Sequence, residues 1–191
     1  MTAAPTSNLD QAAAQAQVSV WTTREKIGRA LWILARGSLF RFSWHNFYGF
    51  RNWLLRLFGA KVGQHVHIRP TTRIEIPWLL TIGDYSSLGD YSIIYDLGPI
   101  VIGRRCTVSQ YAHICAGTHD YTRPDMPLLR PTITLGDDVW IAASAFVGPG
   151  VKVSDGALLG ACAAAFKDLD SWTIYAGNPA KPIKPRPRFS E

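Results

Sequence analysis

The chain is expected to be mainly β: a column of stacked three-sided coils with a helical segment before it and one protruding loop. Two observations carry this expectation. Aliphatic residues recur every six positions, at Val62, Ile68, Ile74, then Ile82, Leu88, Ile94, then Ile102, Val108, Ile114, and again at Leu135, Ile141, Val147, Val153, Leu159 and Ala165. Four places after nearly every one sits a small or slim residue: Val66, Thr72, Ser86, Ser92, Gly98, Cys106, Ala112, Thr118, then Val139, Ala145, Val151, Ala157 and Ala163. A fixed internal period is the sequence signature of a solenoid. Three hexads close one triangular coil, with a short strand on each side and a tight turn at each corner. Both marked positions point inward, and the second must be small because three sides converge there. The early coils repeat every 20 residues, from Val62 to Ile82 to Ile102, so they carry two extra residues at one corner; the interval from Leu135 to Val153 is 18, a bare coil. Coils stack at about 4.8 Å, as parallel strands do, and each satisfies the backbone of its neighbours, so the ends need caps.

Taken in order, residues 1–22 are small and polar, with no basic segment leading into an apolar one, and read as a disordered tail rather than a secretory signal. Residues 23–60 read as two short amphipathic helices joined around Ser43–Asn46. Ile27, Leu31 and Leu34 fall at helical spacing, and Phe47, Phe50, Leu54 and Leu57 do so again before Gly59. The run FRFSWHNFYGFRNW interleaves aromatics with arginines. It fits either a cap on the open end of the column or a surface over 27–58 that contacts a membrane. Residues 61–170 form the column, with an inserted loop at 120–134. Residues 171–191 form a C-terminal cap and basic tail, whose prolines in NPAKPIKPRPR lack the donors a continuing sheet needs.

A chain of 191 residues with 47% apolar content suits one domain with a sizeable core. No apolar run is long enough to span a bilayer. Cys106, Cys115 and Cys162 form no C-x-x-C pair, which fits a reducing, cytoplasmic setting, with a peripheral place at the inner face of the membrane if the helices bind it. The net charge of +6 favours anionic partners. No nucleic-acid motif accompanies it, and no nucleic-acid partner is expected.

The rhythm breaks at His119. The next hexad would start at Asp120 but resumes at Leu135, leaving a 15-residue insertion stiffened by Pro124, Pro127 and Pro131. A histidine at the lip of that break suits general-base work on a hydroxyl. The plain alternative is a solvent-exposed loop histidine.

The I-G-x-x-x-x repeats resemble those of the hexapeptide-repeat acyltransferases, which are left-handed parallel β-helices. LLRLFGAKVG, IPWLLTIGDYSSLGD, YDLG, SQYAHICAGTHDY, GDDVWIAASAFVGPGV and AGNPAKPIK resemble the colanic acid biosynthesis acetyltransferase branch, with maltose, galactoside and nodulation-factor O-acetyltransferases as more distant relatives. The resemblance covers roughly residues 51–184. It implies a homotrimer with sites between subunits, acetyl-CoA as co-substrate, no metal requirement, and a sugar or glycan acceptor such as an exopolysaccharide or lipid-linked precursor. The family's catalytic histidine falls on His119, as general base in a direct transfer. Its oxyanion donor falls on Ala143, where only a backbone N–H is available because this chain lacks the hydroxyl some relatives carry. Cofactor contacts fall on Trp140, Ala143, Ala161, Phe166, Lys167, Lys181 and Lys184. Phe166 replaces a commoner small or hydroxyl residue, and lysines replace arginines, which gives point charges for phosphate rather than bidentate forks. Acceptor contacts fall on Asp90, Tyr95 and Asp96, expected to face outward one coil below His119.

Two other readings compete. His65, His67, His113 and His119 raise a γ-type carbonic anhydrase on the same scaffold, since zinc needs about three imidazoles; the T-H-D loop and NPAK tail speak against it. A non-catalytic scaffold in glycan assembly would bind no acetyl-CoA.

Overall fold

Every aliphatic position of the six-residue series points inward in the computed structural model, which describes residues 21–189. Val62 is the most exposed of them at 9%. The small residues four places on are buried too, with the single exception of Thr118. The expected tail lies outside the described residues except for Trp21 and Thr22.

The strands of the column form three ladders, one per side, parallel throughout except for the last strand of the second. The first face carries Lys61–Val62, Leu80–Ile82, Ile100–Ile102, Ile133–Leu135 and Lys152–Val153. The second runs from His67–Ile68 through Ser87–Leu88, Thr107–Val108, Trp140–Ile141 and Leu158–Leu159 to Thr173–Ala176 and Lys181–Pro185. The third carries Arg73–Ile74, Ile93–Tyr95, His113–Cys115, Phe146–Val147 and Ala164–Ala165. The register matches the repeat: Val62 pairs with Ile82, Ile82 with Ile102, Ile102 with Leu135 and Leu135 with Val153. The parallel β-helix inferred from the periodicity is therefore present.

Several corners place a non-glycine residue at positive φ, among them His65, Tyr85, Arg105 and Asp138. This conformation costs roughly 1–2 kcal/mol per residue. It also points each N–H along the column, where Tyr85, Arg105 and Asp138 donate to the carbonyls of Gln64, Asp84 and Arg104 at 2.8–2.9 Å. The corners thus hydrogen-bond as the strands do.

The first coil would leave an open row of carbonyls, and the helices close it. Helix α1 spans Thr23–Ala35 and starts at a capping box between Thr22 and Glu25. A wider turn over Arg36–Phe40 leads to helix α2, Tyr48–Leu57. Trp32 Nε1 donates to Ile74 O (2.8 Å), Arg51 Nε to Ile68 O (2.7 Å), Asn52 Nδ2 to Val66 O (2.8 Å) and Arg56 to Val62 O. Trp32, Phe40, Leu54 and Leu55 join the core of the column. The capping reading of this segment holds.

The buried side of α1 differs from the one expected. Ile27, Leu31 and Leu34 are 56, 54 and 69% exposed, whereas Trp32 is 0% exposed. Helical spacing identified an apolar stripe but not which stripe meets the column.

The C-terminal expectation is also corrected. Lys181–Pro185 pairs antiparallel with Thr173–Ala176, with a register shift between Ile174 and Tyr175. Proline is tolerated because this is the last strand of its ladder, and an edge needs donors on one side only.

Candidate active site

The site is built where the third face gives out. After His113–Cys115, Ala116 takes the inward place at 0% exposure. The chain then leaves the column, and Thr118–His119 pairs antiparallel with Leu128–Leu129. Thr118 is half-buried in this hairpin, not inward as its spacing implied. Re-entry is also earlier than expected, since Ile133 pairs with Ile100 and is fully buried. The insertion reads 120–134 in sequence but departs the column at Gly117. Gly98 makes the exit tight: a Cβ there would lie 2.5 Å from the Arg130 carbonyl oxygen. Arg104–Asp137 (3.1 Å) and Arg105–Asp138 (2.7 Å) rejoin the column across the interruption.

The hairpin is locally determined. Asp120 Oδ1 accepts from the hydroxyl of Thr122 at 2.6 Å and from its N–H at 3.0 Å. These bonds, the hydroxyl's foremost, hold the Asp120 carboxyl below its ordinary pKa. Asp120 therefore shapes the turn. His119 is exposed, and its Nδ1 lies 2.6 Å from the carbonyl oxygen of Met126. A carbonyl can only accept, so Nδ1 carries the proton and the neutral ring presents the Nε2 lone pair to solvent.

The expected cofactor residues gather elsewhere. Trp140 lies on the second face, 41% exposed, and its Nε1 donates to Ser109 Oγ at 3.0 Å. Beside it opens a depression of about 400 Å³ lined by Arg105, Thr107, Asp138, Trp140, Arg186 and Phe189. Arg105 and Arg186 were not singled out from sequence; the only signal was their basic character. Lys181 and Lys184 are exposed on the last strand of this same ladder, three strands from Trp140. Phe166 and Lys167 are exposed just after the last strand of the third face, with Phe166 5.7 Å from the ring of Phe146.

Ala143 and Ala161 occupy the same corner in successive coils, and Cys162 N–H donates to Ala143 O at 3.0 Å. At another corner the matching turn N–H groups are taken by the carboxylate of the next coil: Gln64 by Asp84, Arg104 by Asp137, Asp137 by Asp155. Ala161 supplies no carboxylate, and among the described residues nothing accepts from the Ala143 N–H.

His119 projects beyond the third face, while Trp140 lies on the second face and Ala143 at the corner that follows it. Among the described residues no hydrogen bond or ring contact joins them within one chain.

The acceptor residues divide. Tyr95 is half-buried, pairs with Cys115 one coil up, and has its ring 6.1 Å from His113. Asp90 is held at a corner by Thr71 (2.7 Å) and Arg69 (3.6 Å). Asp96 is not outward: it is 0% exposed, and its Oδ1 accepts from the N–H groups of Glu75 and Ile76 at 2.9 and 2.8 Å. Burial raises its pKa to about 8 against those hydrogen bonds. It pins the bend after Ile74, and the reason lies in the two extra residues of that corner, which turn the side chain under the chain.

The four histidines do not gather. His65 stacks on Tyr85 (4.9 Å), His67 on Tyr48 (4.4 Å), and His113 sits edge-on to Phe146 (5.4 Å) with its pKa lowered by burial. Among the described residues no three His, Cys, Asp or Glu side chains form a metal-holding group.

An exposed, tautomer-fixed histidine on a coiled β column defines a class of scaffold, and kinship with known proteins defines the family. No family model matches the chain. It is 40% identical over 156 residues, 82% of its length, to the colanic acid biosynthesis acetyltransferase WcaF of Escherichia coli, covering 86% of that protein. The chain belongs to the hexapeptide-repeat acetyltransferases of this WcaF type, and it is an enzyme of acetyl transfer. Among solved structures, a maltose O-acetyltransferase from Clostridium difficile matches with a TM-score of 0.79 at 20% identity, covering 96% of this chain and 99% of that one. A galactoside acetyltransferase in complex with coenzyme A matches at 0.80 and 19% identity, covering 94% and 92%. At these identities the solved structures speak for the fold.

Proposed function

We propose that the chain transfers an acetyl group from acetyl-CoA directly to a hydroxyl of a saccharide, with His119 as general base. The observation that carries the proposal is the Nδ1–Met126 carbonyl bond, which leaves Nε2 as the nitrogen able to accept a proton at an exposed lip. Nε2 takes the proton of the sugar hydroxyl as its oxygen attacks the thioester carbonyl carbon. The oxyanion so formed needs a donor, and the Ala143 N–H, which has no acceptor among the described residues, is suited to it. Collapse breaks the carbon–sulfur bond, and the imidazolium returns its proton to the departing thiolate. No covalent acyl-enzyme is required.

That His119 projects beyond the third face while Ala143 stands at the corner after the second supports a site shared between two copies of the chain. A homotrimer, in which His119 of one subunit faces the second face of the next, provides such a site. Acetyl-CoA would lie along that face, from Trp140 past Ala161 toward Lys181 and Lys184, with Phe166 and Lys167 beside its end. Arg186 adds positive charge next to Trp140, where Arg105 is already paired with Asp138. Asp90 and Tyr95 remain the candidates for meeting the acceptor, while the buried Asp96 serves the fold by holding the Glu75 and Ile76 N–H groups. The names of the relatives, colanic acid biosynthesis, maltose and galactoside, support a sugar or glycan acceptor, and the coenzyme A complex supports acetyl-CoA as the donor. Three unpaired cysteines fit a cytoplasmic enzyme.

The test is thiol release from acetyl-CoA against a panel of nucleotide-linked and lipid-linked sugars. His119→Ala should lower turnover about 10²–10⁴-fold while leaving acetyl-CoA affinity and oligomeric state unchanged. Near-wild-type turnover would sink the assigned role.

A further inference from the structure

The outer surface of the helical cap is apolar where a water-facing surface is ordinarily polar. Ile27, Leu31 and Leu34 lie within about 60° of one another around α1 at 100° per residue, and all three are more than half exposed. Arg24 and Lys26 flank this stripe and are exposed. On α2, Trp53 and Leu57 are 55 and 64% exposed, and Phe50 stacks on Trp53 at 6.0 Å. The connector adds Phe42 and Trp44, 83 and 72% exposed. Leu31 and Leu57 line one open groove of about 600 Å³, floored by Trp78, so the two helices share a continuous outward face. Large exposed apolar patches mark a binding surface.

The charge of this segment says what it binds. Residues 21–60 hold seven Lys and Arg against one acid, Glu25, which is engaged in the α1 capping box; Arg51 is buried and Arg36 pairs with Glu75, while Arg24, Lys26, Arg41 and Arg56 are exposed. The rest of the chain holds thirteen of each sign, so the whole net charge of +6 resides in these forty residues. A second copy of the same face would meet it with like charge. An anionic surface that is apolar just beneath its charges is the complement, and a lipid bilayer is such a surface. Amphipathic helices with Trp, Phe and Leu on one side and Arg and Lys beside them lie in the headgroup plane. Trp favours that depth, and each cation near an anionic leaflet adds attraction.

We propose that residues 24–57 form a monotopic docking surface for an anionic lipid bilayer, with α1 lying along the headgroup boundary and the column standing off it. The proposal does not depend on the reaction assigned to His119, and its test does not read that reaction.

The full chain is sedimented with vesicles of phosphatidylglycerol and phosphatidylethanolamine, and separately with phosphatidylcholine vesicles. Binding is expected to the anionic vesicles, about tenfold above phosphatidylcholine, and to weaken as salt rises. Leu31→Glu/Leu34→Glu should weaken it by about tenfold or more, with unchanged circular dichroism because both side chains are exposed in the structure. Arg24→Gln/Lys26→Gln/Arg41→Gln should remove most of the salt dependence. Ile183→Glu, 61% exposed at the far end of the second face, should bind as wild type. Absence of wild-type binding to anionic vesicles, or equal binding by the Leu31/Leu34 variant, overturns the proposal. So does a change of oligomeric state in that variant, which would assign the face to contacts between copies, and so does tight binding to a DNA duplex in place of vesicles.

Discussion

From Ile68 to Leu159 every aliphatic residue at six-residue spacing points into the column, while in α1 the residues at helical spacing, Ile27, Leu31 and Leu34, point out and Trp32 goes in. The contrast has a physical source. Each coil hydrogen-bonds to the next in fixed register, so the inward position of one coil sets that of all the others. A helix on the end of the column has no such constraint. Its buried side is chosen by what it caps, and here the first coil's carbonyls require the Trp32 indole, the Arg51 guanidinium and the Asn52 amide.

The comparison can be broken at its strongest point first. Trp32→Ala should cost about 3–5 kcal/mol, since it opens a cavity and strips the Ile74 carbonyl of a donor; chemical denaturation would read it as a lower midpoint. A cost below about 1 kcal/mol would mean the helices merely rest on the column.

Asp96 tests the extra residues at the corner. Its folded pKa of about 8 lies above the ordinary 3.8. The folded protein therefore keeps this proton where the unfolded chain has lost it, and the associated stability, complete below about pH 4, drains away as pH rises toward 8. Asp96→Asn removes that loss. The difference in melting temperature, wild type minus variant, should fall between pH 5 and pH 8.5; a constant difference would show that Asp96 ionises freely.

The smallest effect is expected at Leu31. Leu31→Gln should change stability by no more than about 0.5 kcal/mol, since the side chain is 54% exposed. A larger loss in dilute solution would mean that Leu31 is covered by another copy of the chain.

The coils were legible because one period ties sequence to geometry, and His119 was legible because it stands where the period fails. Four features were not. Ala116 rather than Thr118 fills the inward place, because the hairpin pulls Thr118 out of the ladder. Asp96 is buried although its neighbour Tyr95 faces outward. Lys181–Pro185 forms a strand despite its prolines, because only an edge was needed. Arg105 and Arg186 join Trp140 around one depression, although they are 81 residues apart in the chain.

By itself the sequence determined the repeat, the inward residues, the place of the interruption and the basic, aromatic character of the segment before the column. Those are properties of local spacing and composition. Tertiary structure alone decided that Met126 O fixes the tautomer of His119 and that, among the described residues, the Ala143 N–H above Ala161 has no acceptor. It also decided that His119 leaves the column after the third face while Trp140 lies on the second, and that the apolar stripe of α1 faces away from the core. Each of these depends on which residues stack across coils, and stacking is a relation between distant parts of the chain.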